Sequence, residues 1–443
     1  MKSFFKNSYL SSRFFLVVGI LIAFFILAYV FPGLLNIVKM LFFVFCALLL
    51  VDFMILYKQK GIKATRVLPE KLSNGDINEI AITVDNTYNF KTEIRLIDEL
   101  PFQYQKRDFN IETTINKLDS KKIKYTLRPL ERGEYHFGNL NLYTTSPIGF
   151  VTRRYKFGKD AMVPNYPSFL QLRKYMLMAF TNKLSEYGLK KIRRIGHTME
   201  FEQIKDYVPG DDIRNINWKA TAKRNQLMVN QFQDEKSQPV YSVIDKGRVM
   251  RMPFEGLSLL DYAINASLVI SNIALMKQDK AGMFAFSRKV TNRVVAKRRP
   301  SQMNTILETL YNLDTDFAES DFSRLYIDVK RNISQRSLLL LYTNFETLDA
   351  LHRQLGYLQA LAKNHLLVVI FFKNTELDKI TTKPAENTFE IFEKTIAEKF
   401  IYEKKLIVNE LHKHGIYSIL TTPQNLTVDT INKYLEIKAR GLL

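Results

Sequence analysis

The chain has 443 residues, 47% of them hydrophobic and 24% charged, with a formal net charge of +20 and a single cysteine. This length exceeds one ordinary core and implies two or three domains, and the apolar content excludes a disordered polymer. The lone Cys46 excludes an intrachain disulfide scaffold and a cysteine metal cluster, which suits a reducing compartment.

The positive charge invites a nucleic-acid reading, but its distribution argues against one. Residues 1–66 hold eight Lys or Arg against one acid, Asp52. That excess flanks apolar segments, where membrane topology and lipid headgroups account for it.

Residues 1–60 read as a transmembrane hairpin. Phe14 to Phe31 is apolar apart from its tyrosine and long enough to cross a hydrocarbon core of about 30 Å. Leu34 to Tyr57 is a second such run, carrying Lys39 near its start and Asp52 near its end, and only Pro32-Gly33 lies between the two. A second span and the lack of a small-residue cleavage site argue against a signal peptide. Lys2, Lys6 and Arg13 precede the first span, and Lys58, Lys60, Lys63 and Arg66 follow the second. The positive-inside rule therefore places both ends in the cytoplasm of a multi-pass inner-membrane protein. Lys39 is expected to snorkel to the outer interface and Asp52 to the inner one. They are thirteen positions apart, about 20 Å along a helix, which disfavours the sharper reading of a functional intramembrane ion pair.

Residues 62–165 show short runs of period-two alternation, such as Ile80-Ile82-Val84 and Ile123-Tyr125-Leu127. Turn residues at Asn74-Gly75-Asp76 and Arg132-Gly133 separate them. The spacing predicts a small β-sandwich of immunoglobulin-like character, serving as a structural or docking module.

Residues 166–236 hold a basic bridge, with seven Lys or Arg against Glu186 between 173 and 194, and then a dense motif. The bridge reads either as a surface-binding stripe or as a solvated linker. In the motif, Tyr207-Val208-Pro209-Gly210-Asp211-Asp212-Ile213-Arg214 predicts a turn, with an aspartate capping a short helix that holds Ile213, Ile216 and Ala220. Arg214 and Lys219 are then placed to pair with Glu202, Asp206 or Asp211. Those acids together with Asp212 also form a candidate site for metal-assisted hydrolysis. The other reading is a charge-satisfied turn that locks two domains together, with Trp218, the only tryptophan, as a buried anchor.

This motif resembles the signature of the bacterial family called domain of unknown function 58. The residues that carry the resemblance are Glu200, Phe201, Tyr207, Pro209, Gly210, Asp211, Asp212, Arg214, Ile216, Asn217, Trp218, Lys219 and Ala222. Upstream, Arg128-Pro129, Arg132-Gly133-x-Tyr135 and Ser146-Pro147-x-Gly149 also look like the family's pattern.

In residues 237–443 elements alternate. Strands are expected at Pro239–Asp245, Gly282–Phe286, Val290–Val295, Leu338–Tyr342, Leu366–Phe372 and Ile416–Leu420. Helices are expected at Gly256–Met276, Met303–Leu313, Leu348–Ala362, Glu386–His414 and Val428–Ala439. Continuous apolar strands between amphipathic helices predict a mostly parallel, doubly wound α/β sheet. A ligand site then belongs at the strands' carboxyl ends, near Asp245, Ser287, Thr343 and Asn344.

The region is similar to the von Willebrand factor A fold, to which the family's C-terminal half is related. That resemblance implies a Mg²⁺ site built on Asp-x-Ser-x-Ser, a distant Thr and a later Asp. Here Asp245 stays, Gly247 and Val249 replace the serines, and Thr343-Asn344 stands at the later position. With too few oxygen ligands and two cations beside it, Asp245 is expected to pair with Lys246 or Arg248.

Arg288, Lys289, Arg293, Lys297, Arg298 and Arg299 form a basic run that reads as a partner-binding patch or as a charge-protected strand edge. Nucleic acid is disfavoured because no aromatic residues are interleaved as stacking platforms. No P-loop, dinucleotide fingerprint, HExxH or GxSxG occurs in a fitting context.

The expected function is that of a membrane-anchored cytoplasmic adaptor rather than an enzyme. The resemblance implies a MoxR-type AAA+ ATPase as partner, in the assembly or maturation of other, often envelope-related, proteins.

Overall fold

The computed structural model describes residues 7–158, 160–170, 199–209, 211, 213–234 and 237–442, side chains at 199–203 and 231–234 excepted. The chain divides into two units, Met1–Tyr166 and Pro167–Leu443.

The first unit opens with strand β1 (Ser8–Leu10), followed by helices α1 (Ser12–Val30) and α2 (Leu35–Tyr57), which a single 3-10 turn at Pro32–Leu34 separates. The Ser11 hydroxyl caps α1 by accepting from the Phe14 N–H at 3.4 Å. Both helices are long and apolar enough to cross a membrane, and only 11% of the residues in each apolar window are buried by protein. Surfaces of this kind need lipid around them.

Next come β2 (Ile62–Val67), β3 (Leu72–Ser73), β4 (Asn78–Asn86), β5 (Thr92–Asp98), β6 (Asn110–Ile115), β7 (Ser120–Leu127), β8 (Gly133–Phe137), β9 (Leu140–Thr145), β10 (Val151–Phe157) and β11 (Ala161–Tyr166). They form a five-stranded sheet in the order β1-β10-β9-β5-β6 and two three-stranded sheets, β2-β4-β7 and β3-β11-β8. Alternation sorts the side chains: Ile80, Ile82 and Val84 of β4 face inward and meet Ile94, Leu96, Ile123 and Leu142 in one core. Arg66 and Asp98 form an ion pair at the edge of this core, where the Tyr125 hydroxyl also donates to Asp98. Burial pushes the Asp98 carboxyl up, partly offset by Tyr125 and Arg66.

The hairpin is tied to these strands. β1 pairs antiparallel with β10, from Ser8↔Arg153 to Leu10↔Val151, and the Ser8 hydroxyl hydrogen-bonds the Tyr57 hydroxyl, so the chain entering α1 lies beside the end of α2. Tyr88 donates its hydroxyl to the Leu56 carbonyl at 2.7 Å, and the Arg153 guanidinium lies over the rings of Tyr57 and Tyr155. Asp52 corrects the snorkelling expectation. It is fully buried, and one carboxylate oxygen accepts from the Phe150 and Val151 N–H groups, both at 3.0 Å. The reason is an acceptor shortage: buried backbone donors at the Ser146–Phe150 turn need a partner, and α2 supplies it.

The second unit begins with a hairpin of β12 (Met199–Asp206) and β13 (Met228–Asp234), with a short helix α3 (Trp218–Arg224) in its connection. There follow β14 (Pro239–Asp245), β15 (Pro253–Phe254), β16 (Leu257–Ser258), α4 (Leu259–Met276), β17 (Lys280–Phe286), β18 (Val290–Lys297), α5 (Gln302–Tyr311), α6 (Phe322–Asn332), β19 (Leu338–Tyr342), α7 (Leu348–Asn364), β20 (Leu366–Phe372), α8 (Thr375–Thr382), α9 (Thr388–Lys413), β21 (Tyr417–Thr421) and α10 (Leu426–Ala439). The main sheet runs β18-β17-β14-β19-β20-β21; all neighbours are parallel except the edge pair β17–β18.

Period-two alternation splits each buried strand between two cores. Val240, Ile244, Leu340 and Val368 pack under α4, α5 and α10, whereas Val243, Leu341, Val369 and Phe371 pack under α6, α7 and α9. Helix α4 is apolar enough to span a membrane, yet 78% of its apolar window is buried, so the protein core takes the place of lipid. Helices α6 and α8 were not expected from the sequence. In α6 the buried Phe322, Leu325 and Val329 lie at helical spacing among charges, a stripe too thin to stand out.

Candidate functional site

The order of the main sheet reverses beside β14: the chain steps from β14 out to β17 on one side and later to β19 on the other. Crossovers diverge there and leave a crevice outside the strands' carboxyl ends. Asp245 ends β14 in that crevice and is 1% exposed. Its Oδ2 accepts the Thr343 hydroxyl at 2.7 Å, and its Oδ1 accepts the Gly247 N–H at 2.8 Å and the Ser320 hydroxyl. Burial raises the Asp245 pKa, against the pull of Ser320, Gly247 and Thr343.

The expected pairing of Asp245 with Lys246 or Arg248 is therefore corrected. The Lys246 ammonium lies 3.5 Å from Asp316, and the Arg248 guanidinium lies 3.9 Å from Glu319. Asp316 also accepts the Ser287 hydroxyl. Although partial burial would raise it, Asp316 is held below the usual carboxylate range by Ser287, the Ala318 N–H and Lys246. Its loop, Asp314 to Asp321, supplies both Asp316 and Ser320, neither of which was singled out from the sequence. The one available signal was its density of acids and hydroxyls just before α6.

Gly247 explains the replaced serine. A Cβ there would sit 2.2 Å from Ser320 Oγ and 2.9 Å from the Ala318 carbonyl oxygen. Ser320 thus fills the space that a side chain at 247 would need, and brings a hydroxyl to Asp245 from a different loop. The Asp245 carboxylate is satisfied by three donors of the chain itself, and the positive charge beside the cluster is the Lys246 ammonium. Among the described residues no group of three or more His, Cys, Asp or Glu is placed to hold a metal ion. Asn344 parts company with Asp245 and Thr343. Its Oδ1 accepts from the Lys404 ammonium on α9 at 2.7 Å.

The motif hairpin is built differently from the expectation. Asp211 does not cap a helix. Its carboxylate accepts the Lys205 ammonium at 2.9 Å and the Val208 N–H at 3.0 Å, closing the turn. The Lys205 hydrogen bond, followed by Val208, holds Asp211 below the usual carboxylate range. A 3-10 turn follows at Ile213–Asn215, directly after Asp212, and α3 starts beyond it, where Asn217 caps the helix by accepting from the Ala220 N–H at 3.0 Å and donates to Asn230 on β13 at 2.8 Å. Trp218 is 69% exposed rather than a buried anchor. Val208, Ile213 and Leu227 are exposed beside it in sequence, so the motif displays apolar surface. Asp206, Pro209, Arg214 and Lys219 are also exposed. Gly210, Asp212, the side chains of Glu200, Phe201 and Glu202, and the bridge at 173–194 lie outside the described residues.

The basic run is not one patch. All six cations are exposed, but β18 runs between them. Arg288 and Lys289 lie at the β17–β18 turn on the carboxyl-edge side of the sheet, and Lys297, Arg298 and Arg299 lie at the opposite edge. Ten residues of extended chain from Arg288 to Arg298 span about 30 Å. Arg293, midway, donates to Asn332 on α6.

Residues 203–380 match the family described as "Protein of unknown function DUF58". A curated relative from Bacillus subtilis (strain 168), "Uncharacterized protein YeaD", is 27% identical over 127 residues, 29% of this chain and 31% of that protein. The chain thus matches about a third of that relative's length. Among solved structures, the conserved hypothetical protein BatB from Bacteroides thetaiotaomicron shares 11% identity over 46% of this chain and 98% of its own, with a TM-score of 0.30. The SpRpn10 VWA domain shares 11% identity over 44% of this chain and 94% of its own, also with a TM-score of 0.30.

Proposed function

Starting from residues 203–380, which match the DUF58 family, we propose that the chain is a membrane-anchored interaction protein. Its second unit, read as von Willebrand factor A-like, would present the motif hairpin and the carboxyl edge of its sheet to a protein partner. The observation that carries this reading is Trp218. A family-signature tryptophan that is 69% exposed, on a hairpin that also exposes Val208, Ile213 and Leu227, has the chemistry of a binding anchor. The polar groups near it are committed to holding the turn, as Asp211 with Lys205 and Asn217 with Asn230 illustrate.

On this reading the partner is a MoxR-type AAA+ ATPase and the task is assembly or maturation of other proteins. The two apolar helices fix the chain at the inner membrane with both ends cytoplasmic. The hydrogen bond between Ser8 before α1 and Tyr57 at the end of α2 supports that topology, since it holds the two ends of the hairpin together, and the flanking lysines and arginines supply its direction. The test is co-purification of the full chain from membranes with the MoxR-type ATPase of the same cell. Trp218→Ala should reduce capture at least tenfold while shifting the melting temperature little; undiminished capture would sink the reading.

A further inference from the structure

A cavity of about 240 Å³ opens at the carboxyl ends of β20 and β21, beside Asn344 and under α9. Phe254, Phe372, Phe400 and Leu420 form an apolar wall, and one cation, Lys404, is set into it. The Lys404 ammonium donates to Asn344 Oδ1 and to the Phe345 carbonyl. That leaves one of its three donors for the cavity it lines. The other charges at the rim are Glu346, Lys405 and Lys373, the last ion-paired with Asp378 at 2.8 Å.

We propose that this cavity binds a small apolar carboxylate, with the carboxylate on Lys404 and the hydrocarbon body against Phe372, Phe400 and Leu420. The charge balance selects the class. Lys373 is already paired with Asp378 and Lys405 is exposed, so the single part-buried ammonium of Lys404 matches one negative charge, whereas the second charge of a phosphate dianion would face Glu346 and an apolar wall. An uncharged apolar ligand would leave the third ammonium donor facing hydrocarbon. The volume suits one aromatic ring or a short aliphatic chain. The site does not depend on the partner reading, because no described residue of the motif hairpin lines it.

The test uses the full chain in detergent, with 3-phenylpropanoate and its uncharged amide as probes in calorimetric titrations. The acid should bind at least tenfold more tightly than the amide, and Lys404→Met should abolish that preference. On the unaltered protein, affinity for the acid should fall at least tenfold as pH rises from about 7 to about 9.5, through the depressed titration of Lys404 near 8, while the amide is unaffected. This arm decides the matter should Lys404→Met fail to fold. Equal binding of acid and amide, pH-independent binding of the acid, or no binding of the acid would each overturn the proposal.

Discussion

Thr343 at the end of β19 donates its hydroxyl to Asp245 at the end of β14, 2.7 Å across the point where the order of the sheet reverses. Both residues are 1% exposed. The bond satisfies one oxygen of a buried carboxylate, so removing it leaves that oxygen unpaired. Thr343→Val should lower unfolding free energy by about 1–3 kcal/mol. Denaturant titration checks this, and an unchanged midpoint would show that the crevice relaxes to admit water.

Asp245 also sets a pH trend. Its folded-state pKa is raised above the ordinary 3.8, mainly by burial. Its contribution is therefore fully present below the unfolded value and is lost as pH rises through the folded one. Melting temperatures of Asp245→Asn and the unaltered chain should diverge upward from about pH 4 in favour of the variant. This trend is separate from the constant loss caused by an amide N–H₂ in place of one oxygen, facing either the Thr343 hydroxyl or the Gly247 N–H and Ser320 hydroxyl. A pH-independent difference would refute it.

Lys404 has the opposite dependence. Desolvation, only partly offset by Glu346, lowers its pKa to about 8 from 10.5. Stability from the neutral amine is present above 10.5 and is lost as pH falls through about 8. Lys404→Met should accordingly gain on the unaltered chain as pH is lowered from about 10.5 to about 7. Parallel melting curves across that window would contradict the burial of the charge.

Gly247 tests the geometry of the crevice. Gly247→Ser restores the residue type of the metal-binding pattern, but its Cβ meets Ser320 Oγ and the Ala318 carbonyl. Overpacking of this kind costs about 1–3 kcal/mol. Adding Ser320→Ala should recover part of the loss and not all, because the carbonyl remains. Chemical denaturation of the single and double variants measures both steps.

Asp52 ties a membrane helix to the β-strands. Asp52→Leu strands the Phe150 and Val151 N–H groups without an acceptor. Each unsatisfied group costs about 1–3 kcal/mol, so the melting temperature of the full chain in detergent should fall by several degrees. A melting temperature equal to that of the unaltered chain would show that the two groups find other acceptors.

Much of the secondary structure was legible in the sequence because apolar periodicity reports burial directly. The two runs ending at Phe31 and Tyr57 are helices, and Pro239–Asp245, Leu338–Tyr342 and Leu366–Phe372 are strands with those same ends. Helix α6 was missed because only three of its residues face the core. The candidate site was only half legible. Asp245 and Thr343 stand at the ends of readable strands, whereas Ser320 and Asp316 come from an irregular loop whose course no local pattern encodes.

The sequence by itself determined the apolar helices, the strand order in time, and the family motif, since each rests on residues near one another along the chain. Only the tertiary structure decided the partners of charged groups: Asp52 with the Phe150–Val151 backbone, Lys246 with Asp316, Lys404 with Asn344. A charge is indifferent to sequence distance. It takes whichever donor or acceptor the packing of apolar faces brings within about 3 Å, and that packing exists only once the chain has folded.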